Sequence, residues 1–240
     1  MRRKKSLEEI LEEKKDDYWE EDSKYDHWIN YYIPFYHNTL GNVLDFQQLT
    51  YDKIRIVAKS KENINELKNY IFGGDVIVNL DNMPENYRSL FKQNKYENKY
   101  MEYNLGILPK QGNLQGAKKK IGNDWRIDLF LKTIDKYYRY NDEKILEQSK
   151  NRNNSDFTKN VLEYFSVPRY FDNGNNISSE IKDSQKIYNF CESFYGISCN
   201  MTKKLLLCPN DIEPKEYYNL IINFWNERKL KSRNKSVNKS

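Results

Sequence analysis

Histidine is scarce in this chain: His27 and His37 are the only two in 240 residues. A histidine titrates near neutrality and can act as general acid or base, so Tyr36-His37, at the end of an aromatic run, is the first candidate for chemistry. The structural alternative for His37 is a hydrogen-bonded packing residue among aromatics. The second candidate is Gly112-Asn-Leu-Gln-Gly-Ala-Lys-Lys-Lys120, with two glycines, two amides and three lysines. Backbone N–H groups of a glycine-rich turn, backed by lysines, can hold a phosphate or carboxylate. Its plain alternative is a solvated loop. Arg126 and Asp128 follow at the start of the strongest amphipathic segment. Together these define a candidate site: His37 and Asp128 as acid–base groups, with Tyr36, Gln115, Lys118 and Arg126 as ligand-binding groups. An enzyme built this way would act on an anionic, nucleotide-like small molecule, and it requires Tyr36 or His37 to approach Gln115, Lys118 and Arg126 in a concave pocket.

Other patterns are weaker. Asp128-Leu-Phe-Leu-Lys132 has the outline of an acid-and-lysine nuclease motif, but Phe130 stands where a second metal-holding carboxylate is needed, and the periodicity is helical. Gly73-Gly74 precedes a predicted strand, whereas a phosphate-binding glycine loop follows one and opens a helix; a helix C-cap and tight turn is the expectation. Cys191, Cys199 and Cys208 are odd in number, contain no Cys-x-x-Cys pair and lie among apolar residues. They are expected to pack as small hydrophobes, without a disulfide framework or a zinc site. No metal or cofactor is expected.

The elements that must carry these residues follow from periodicity and punctuation. Ser6 with Glu9 forms a capping box opening a charged helix. Residues 24–36 are dense in aromatics, with Trp28, Tyr31 and Tyr32 facing a core or a partner. Strands are expected at 54–57, 75–78 and within 101–108, and helices from Ser60 to about Ile71 and from Pro84 through Phe91. In the helix from Asp124 to about Tyr140, Ile127, Phe130, Leu131, Ile134, Tyr137 and Tyr138 share one face, with Asn123 or Asp124 as N-cap. Further helices are expected over 156–165, from Ser178 or Ser179 to near Gly196, and from Pro214, with residues 147–155 a loop or helix end. Strands early and helices late predict an α+β fold: a small, mainly antiparallel sheet packed by several amphipathic helices. The domain plan is a charged N-terminal helix or arm at 1–21, one domain at 22–230 and a disordered basic tail at 231–240.

Composition bounds the function. Aromatic residues make up 15% of the chain, with 20 tyrosines, which argues for a packed core. Alanine occurs only at Ala58 and Ala117 while Lys, Asn, Ile and Tyr abound, so AT-rich codons account for much of the lysine. The net charge of +5 sits at the ends. Arg2, Arg3, Lys4 and Lys5 give +4, and six basic residues against Glu227 between Asn226 and Ser240 give +5, leaving residues 6–225 at −4. A duplex-binding domain concentrates basic charge on a folded face. Here nucleic acid is expected to make only weak, salt-sensitive contact through the tails. No leader and no membrane span are read, and a soluble, cytoplasmic chain is expected.

The motifs also resemble a bacterial family of uncharacterised proteins, the domain of unknown function numbered 6994. Tyr36, His37 and Leu40 are similar to its early segment, and Phe72, Gly73, Gly74, Ile77 and Val78 to its Gly-Gly strand. Leu114 to Lys118 then stand in its Thr-Ile-Asn-x-Ala-Arg-Gly segment, followed by Arg126, Asp128, Leu129, Ile134, Tyr137 and Tyr138 in its central helix. Phe190, Phe194, Gly196, the leucines 205–207, Tyr217, Phe224 and Arg228 complete the pattern over about residues 22–230. The family's Asn, Arg and Gly are here Gln115, Lys118 and Lys119, and an acid is Trp125. Lysine is a point charge without arginine's bidentate fork, so recognition at that segment would be weakened. The resemblance implies one fold across that span and no particular reaction. The reading from sequence is an interaction module for a protein or nucleic acid, with the enzyme as the alternative.

Overall fold

The computed structural model describes residues 44–50, 53–58, 71–96, 102–109, 114–149, 155–166 and 181–233. The expectations for the N-terminal arm, the aromatic run 24–36 and the helix beginning at Ser60 lie outside these residues, as does the tail from residue 234. Strands β1 (Leu44–Thr50), β2 (Lys53–Ala58), β3 (Ile71–Val76) and β4 (Leu105–Pro109) pair antiparallel in the order β1-β2-β3-β4. Phe72 in β3 faces Ile54 in β2 on one side and Pro109 in β4 on the other. Gly73-Gly74 therefore lies inside β3 and is not the helix C-cap expected from sequence. Its register explains the pair: Gly73 and Gly74 oppose Leu108 and Ile107 of β4 in an interior strand, where backbone pairing needs no side chain.

The expected α+β class, helices packed around a sheet, is not what the structure shows. From Leu114 to Arg233 the regular elements of the described residues are helices, and the buried cluster is drawn from helices and turns. Among the described side chains of the strands, Val76 reaches that cluster, and only partly buried. The domain is a helical fold. The physical reason is length: the later segments sustain a 3.6-residue apolar repeat over two to five turns, whereas the strands are short and one carries two glycines.

The helices are α1 (Glu85–Gln93), α2 (Leu114–Gly122), α3 (Ile127–Tyr140), α4 (Lys144–Ser149), α5 (Ser155–Phe165), α6 (Asp183–Phe190), α7 (Cys199–Leu207) and α8 (Pro214–Arg233). Helix α3 is central. Its Phe130, Leu131 and Ile134 are fully buried and Ile127, Tyr137 and Tyr138 nearly so, as the spacing requires. Asn141 ends it in the left-handed conformation at φ 53°, its N–H reaching back to the last turn. Its start differs from expectation: Asn123 and Asp124 are not N-caps but form a tight left-handed turn at φ 49° and 66°, and Arg126 occupies the cap position.

Aromatic side chains knit the helices together in two clusters. Phe165 of α5, Phe190 of α6 and Phe194 pack together, with Phe190 and Phe194 stacked at 5.0 Å. Phe194 belongs to a π-helical turn, Cys191–Tyr195, closed by Gly196 at φ 67°. The second cluster joins α1 to α8: Tyr87 lies 6.0 Å from Tyr217, and Phe91 5.6 Å from Trp225. Fully buried Asn104 locks that cluster to the chain leaving β3. Its amide oxygen accepts from Val78 N–H (3.0 Å) and Trp225 Nε1 (2.9 Å), and its Nδ2 donates to the Val78 carbonyl (2.9 Å). At the other end, Ser198 caps α7 by accepting from Met201 N–H (3.1 Å), while Glu227 of α8 accepts from the Ser198 amide and hydroxyl.

Candidate functional site

The lysine-rich segment is not the glycine-rich turn expected from sequence. Leu114 onward is helical, and Gly116 lies within α2. Leu114 and Ala117 are fully buried, so the segment has an apolar face that the surrounding lysines and glycines obscure. Lys118 shares that inward face and is 2% exposed. Its Nζ donates to the Val76 carbonyl and pairs at 3.0 Å with Asp124 Oδ1, itself buried in the α2–α3 turn. The other Asp124 oxygen accepts from Asn79 Nδ2 at 2.9 Å, and the Asp124 carbonyl accepts from Asn79 N–H at 2.9 Å. Lys118 and Asp124 thus tie α2 and its following turn to the chain leaving β3. Gln115 is half-buried on the same helix.

Arg126 and Asp128 form a second closed unit. Arg126 Nε and Nη2 donate to the two carboxylate oxygens of Asp128, each at 2.7 Å. Its remaining donors reach the Asn210 carbonyl (2.8 Å) and the Pro209 carbonyl (3.0 Å) in the α7–α8 connection. The rings of Tyr217 and Trp125 lie 5.4 and 5.6 Å from the guanidinium carbon, and the Tyr217 hydroxyl donates to the Trp125 carbonyl. Burial disfavours the charge on Arg126, but the Asp128 carboxylate outweighs it and holds the guanidinium protonated well beyond its usual range. Burial pushes the neighbouring Cys208 thiol up to about 12, with Asp128 adding to the shift, and raises the Tyr217 hydroxyl well above its ordinary value. Lys132 stands one helical turn from Asp128 at 3.8 Å and donates to the Cys208 carbonyl and to Asn210 Oδ1 (3.2 Å).

The structure therefore brings Lys118, Arg126 and Asp128 to the same α2–α3 corner, but each is closed by its own partners. Arg126 is 7% exposed and Asp128 is fully buried. A metal approaching Asp128 would have to displace a bidentate arginine, and among the described residues no group of three or more His, Cys, Asp or Glu is placed to hold an ion. Tyr36 and His37 lie outside the described residues.

Beside this corner lies a groove of about 480 Å³ that sequence reasoning missed. It runs between α3 and α7 near the start of α4. Ile121, Leu129 and Leu206 supply apolar lining, Lys132, Lys136 and Lys144 the cations. Asp135 also lines it, but its carboxylate is held by Arg139 at 2.7 Å. Tyr140, 73% exposed, stands at the groove, and Leu207, next to Leu206, is 71% exposed. The available signal was Lys132, Lys136 and Tyr140 at i, i+4, i+8 on the outer face of α3, together with the apolar run Leu205-Leu-Leu207 in a helix, α7, that was not anticipated.

Among the described residues no helix is long and apolar enough to cross a membrane. No family model matches the chain, and no curated protein or solved structure matches it.

Proposed function

We propose that this chain is a binding module that recognises an anionic partner in the groove between α3 and α7. The observation that carries the reading is the pairing of an apolar lining with a lysine rim on which Lys136 and Lys144 are exposed, while Asp135, the one acidic residue of the lining among the described residues, is held by Arg139. The alternative, an enzyme using His37, Gln115, Lys118, Arg126 and Asp128, needs its cationic groups open to a ligand. Lys118 and Arg126 are instead buried and saturated by Asp124, Asp128 and backbone carbonyls. The basic ends, Arg2 to Lys5 and the lysines and arginine after Arg228, add weak, salt-sensitive attraction to the same class of partner. A cytoplasmic setting suits the three free cysteines, two of them buried.

The test is photo-cross-linking in the native host from p-benzoylphenylalanine placed at Tyr140. A discrete adduct that disappears when Lys136 and Lys144 are both changed to Glu supports the reading. Adducts unchanged by that double substitution refute it.

A further inference from the structure

We infer that the occupant of this groove is an acidic segment of a partner protein that also carries large apolar side chains. The inference rests on the binding-module reading and names its partner. Three large hydrophobic side chains among the described residues are more than half exposed, Tyr140, Leu207 and Leu230, and Tyr140, the most exposed of them, lines the groove. A ligand that was only charged would leave Leu129 and Leu206 without a complement, and a bare phosphate gains nothing from such a lining. A nucleic-acid strand would meet the lysines, but its phosphates would continue past the groove over a body whose residues 6–225 carry −4. A peptide confines its carboxylates to the lysine rim and places its apolar side chains between α3 and α7. That is the pattern of an amphipathic segment laid in a groove.

The experiment uses the full-length chain and fluorescence anisotropy at low salt. The probe is a labelled 14-residue peptide with glutamates on one face and leucines every three or four positions. A second peptide has the leucines changed to serine at the same charge, and a labelled single-stranded oligonucleotide of equal length is the third arm. The leucine peptide is expected to bind. Its affinity should fall about tenfold in Lys136→Glu/Lys144→Glu and severalfold in Tyr140→Ser, all at exposed positions that line the groove and leave the core intact. The serine peptide should bind about tenfold more weakly than the leucine peptide. Equal binding of the two peptides overturns the inference. So does tighter binding of the oligonucleotide that is lost in the lysine variant, although the groove then survives as an anion-binding site. Absence of binding in all three arms, or binding indifferent to Lys136 and Lys144, defeats both the inference and the module reading.

Discussion

Changing Asp128 to Asn separates a structural from a chemical role for the α2–α3 corner. In the folded chain Arg126 is 7% exposed, and both of its bonds to Asp128 are 2.7 Å long. The amide removes the negative charge and one acceptor, stranding a cation that can neither leave nor deprotonate. Loss of one partner of a buried pair costs about 3–5 kcal/mol. Arg126 keeps the Asn210 and Pro209 carbonyls and its two aromatic neighbours, so the lower end, about 3 kcal/mol, is expected. With a urea m-value of about 2–3 kcal/mol/M for a domain of this size, the unfolding midpoint should fall by about 1–1.5 M. Tryptophan fluorescence follows the transition directly, because Trp125 lies against Arg126. Replacing both partners by apolar residues, Arg126→Met with Asp128→Leu, removes the stranded charge. The freed carbonyls belong to exposed Pro209 and Asn210 and can turn to water. That double variant should lie within about 1.5 kcal/mol of the parent. A midpoint shift under about 0.3 M for Asp128→Asn, or a double variant less stable than the single one, would mean that the ion pair does not hold this corner together.

Three further outcomes follow from the same geometry. Cys208, pushed up to about 12, and the buried Tyr138 and Tyr217 hydroxyls stay protonated in the folded chain while the unfolded chain ionises from about pH 9 upward. The folded state then binds more protons, so stability is complete below pH 9 and falls toward pH 12 by about 1.4 kcal/mol per pH unit for each such group. Thermal melts from pH 8 to 11 should show a steepening decline, and a flat profile would contradict it. Asn104→Ala strands the Val78 N–H, the Val78 carbonyl and the Trp225 indole N–H, and should cost about 3–5 kcal/mol in urea unfolding. A loss below 1 kcal/mol would show that these groups find other partners. Ser193→Ala in the π-helical turn removes a buried hydroxyl that has no hydrogen-bond partner among the described residues. Its stability should be unchanged or rise by up to about 1 kcal/mol, and a loss above 1 kcal/mol would be the contrary result.

The helices were the legible part of this sequence because long apolar repeats leave little freedom. Ile127 to Tyr138 on α3, Tyr217 to Trp225 on α8 and the end of α5 at Phe165 follow from spacing and punctuation. Helix α2 was obscured by composition: Gly112, Gly116 and three consecutive lysines read as solvent, yet Lys118 turns inward to meet Asp124. That pairing depends on a left-handed turn at Asn123 and Asp124, which local patterning reads as a cap. The α+β expectation failed for a related reason. Short strands were given the weight of a core element, whereas the apolar stripe of α3 buries against α6 and that of α8 against α1. Arg126 and Asp128 stand out in the sequence by residue type, whereas their bidentate pairing and burial come from the fold and have no local signature. The groove was illegible because it needs Leu206 brought beside Leu129, a contact made only by the packing of α7 on α3.

Methyl-resolved NMR of the chain, titrated with the leucine–glutamate peptide, locates the binding surface residue by residue. Shifts confined to Ile121, Leu129 and Leu206, with Leu114 and the Trp125 indole signal unmoved, are expected. The largest changes at Trp125 and Leu114, beside Lys118 and Arg126, would contradict binding in the groove and return the function to the buried corner.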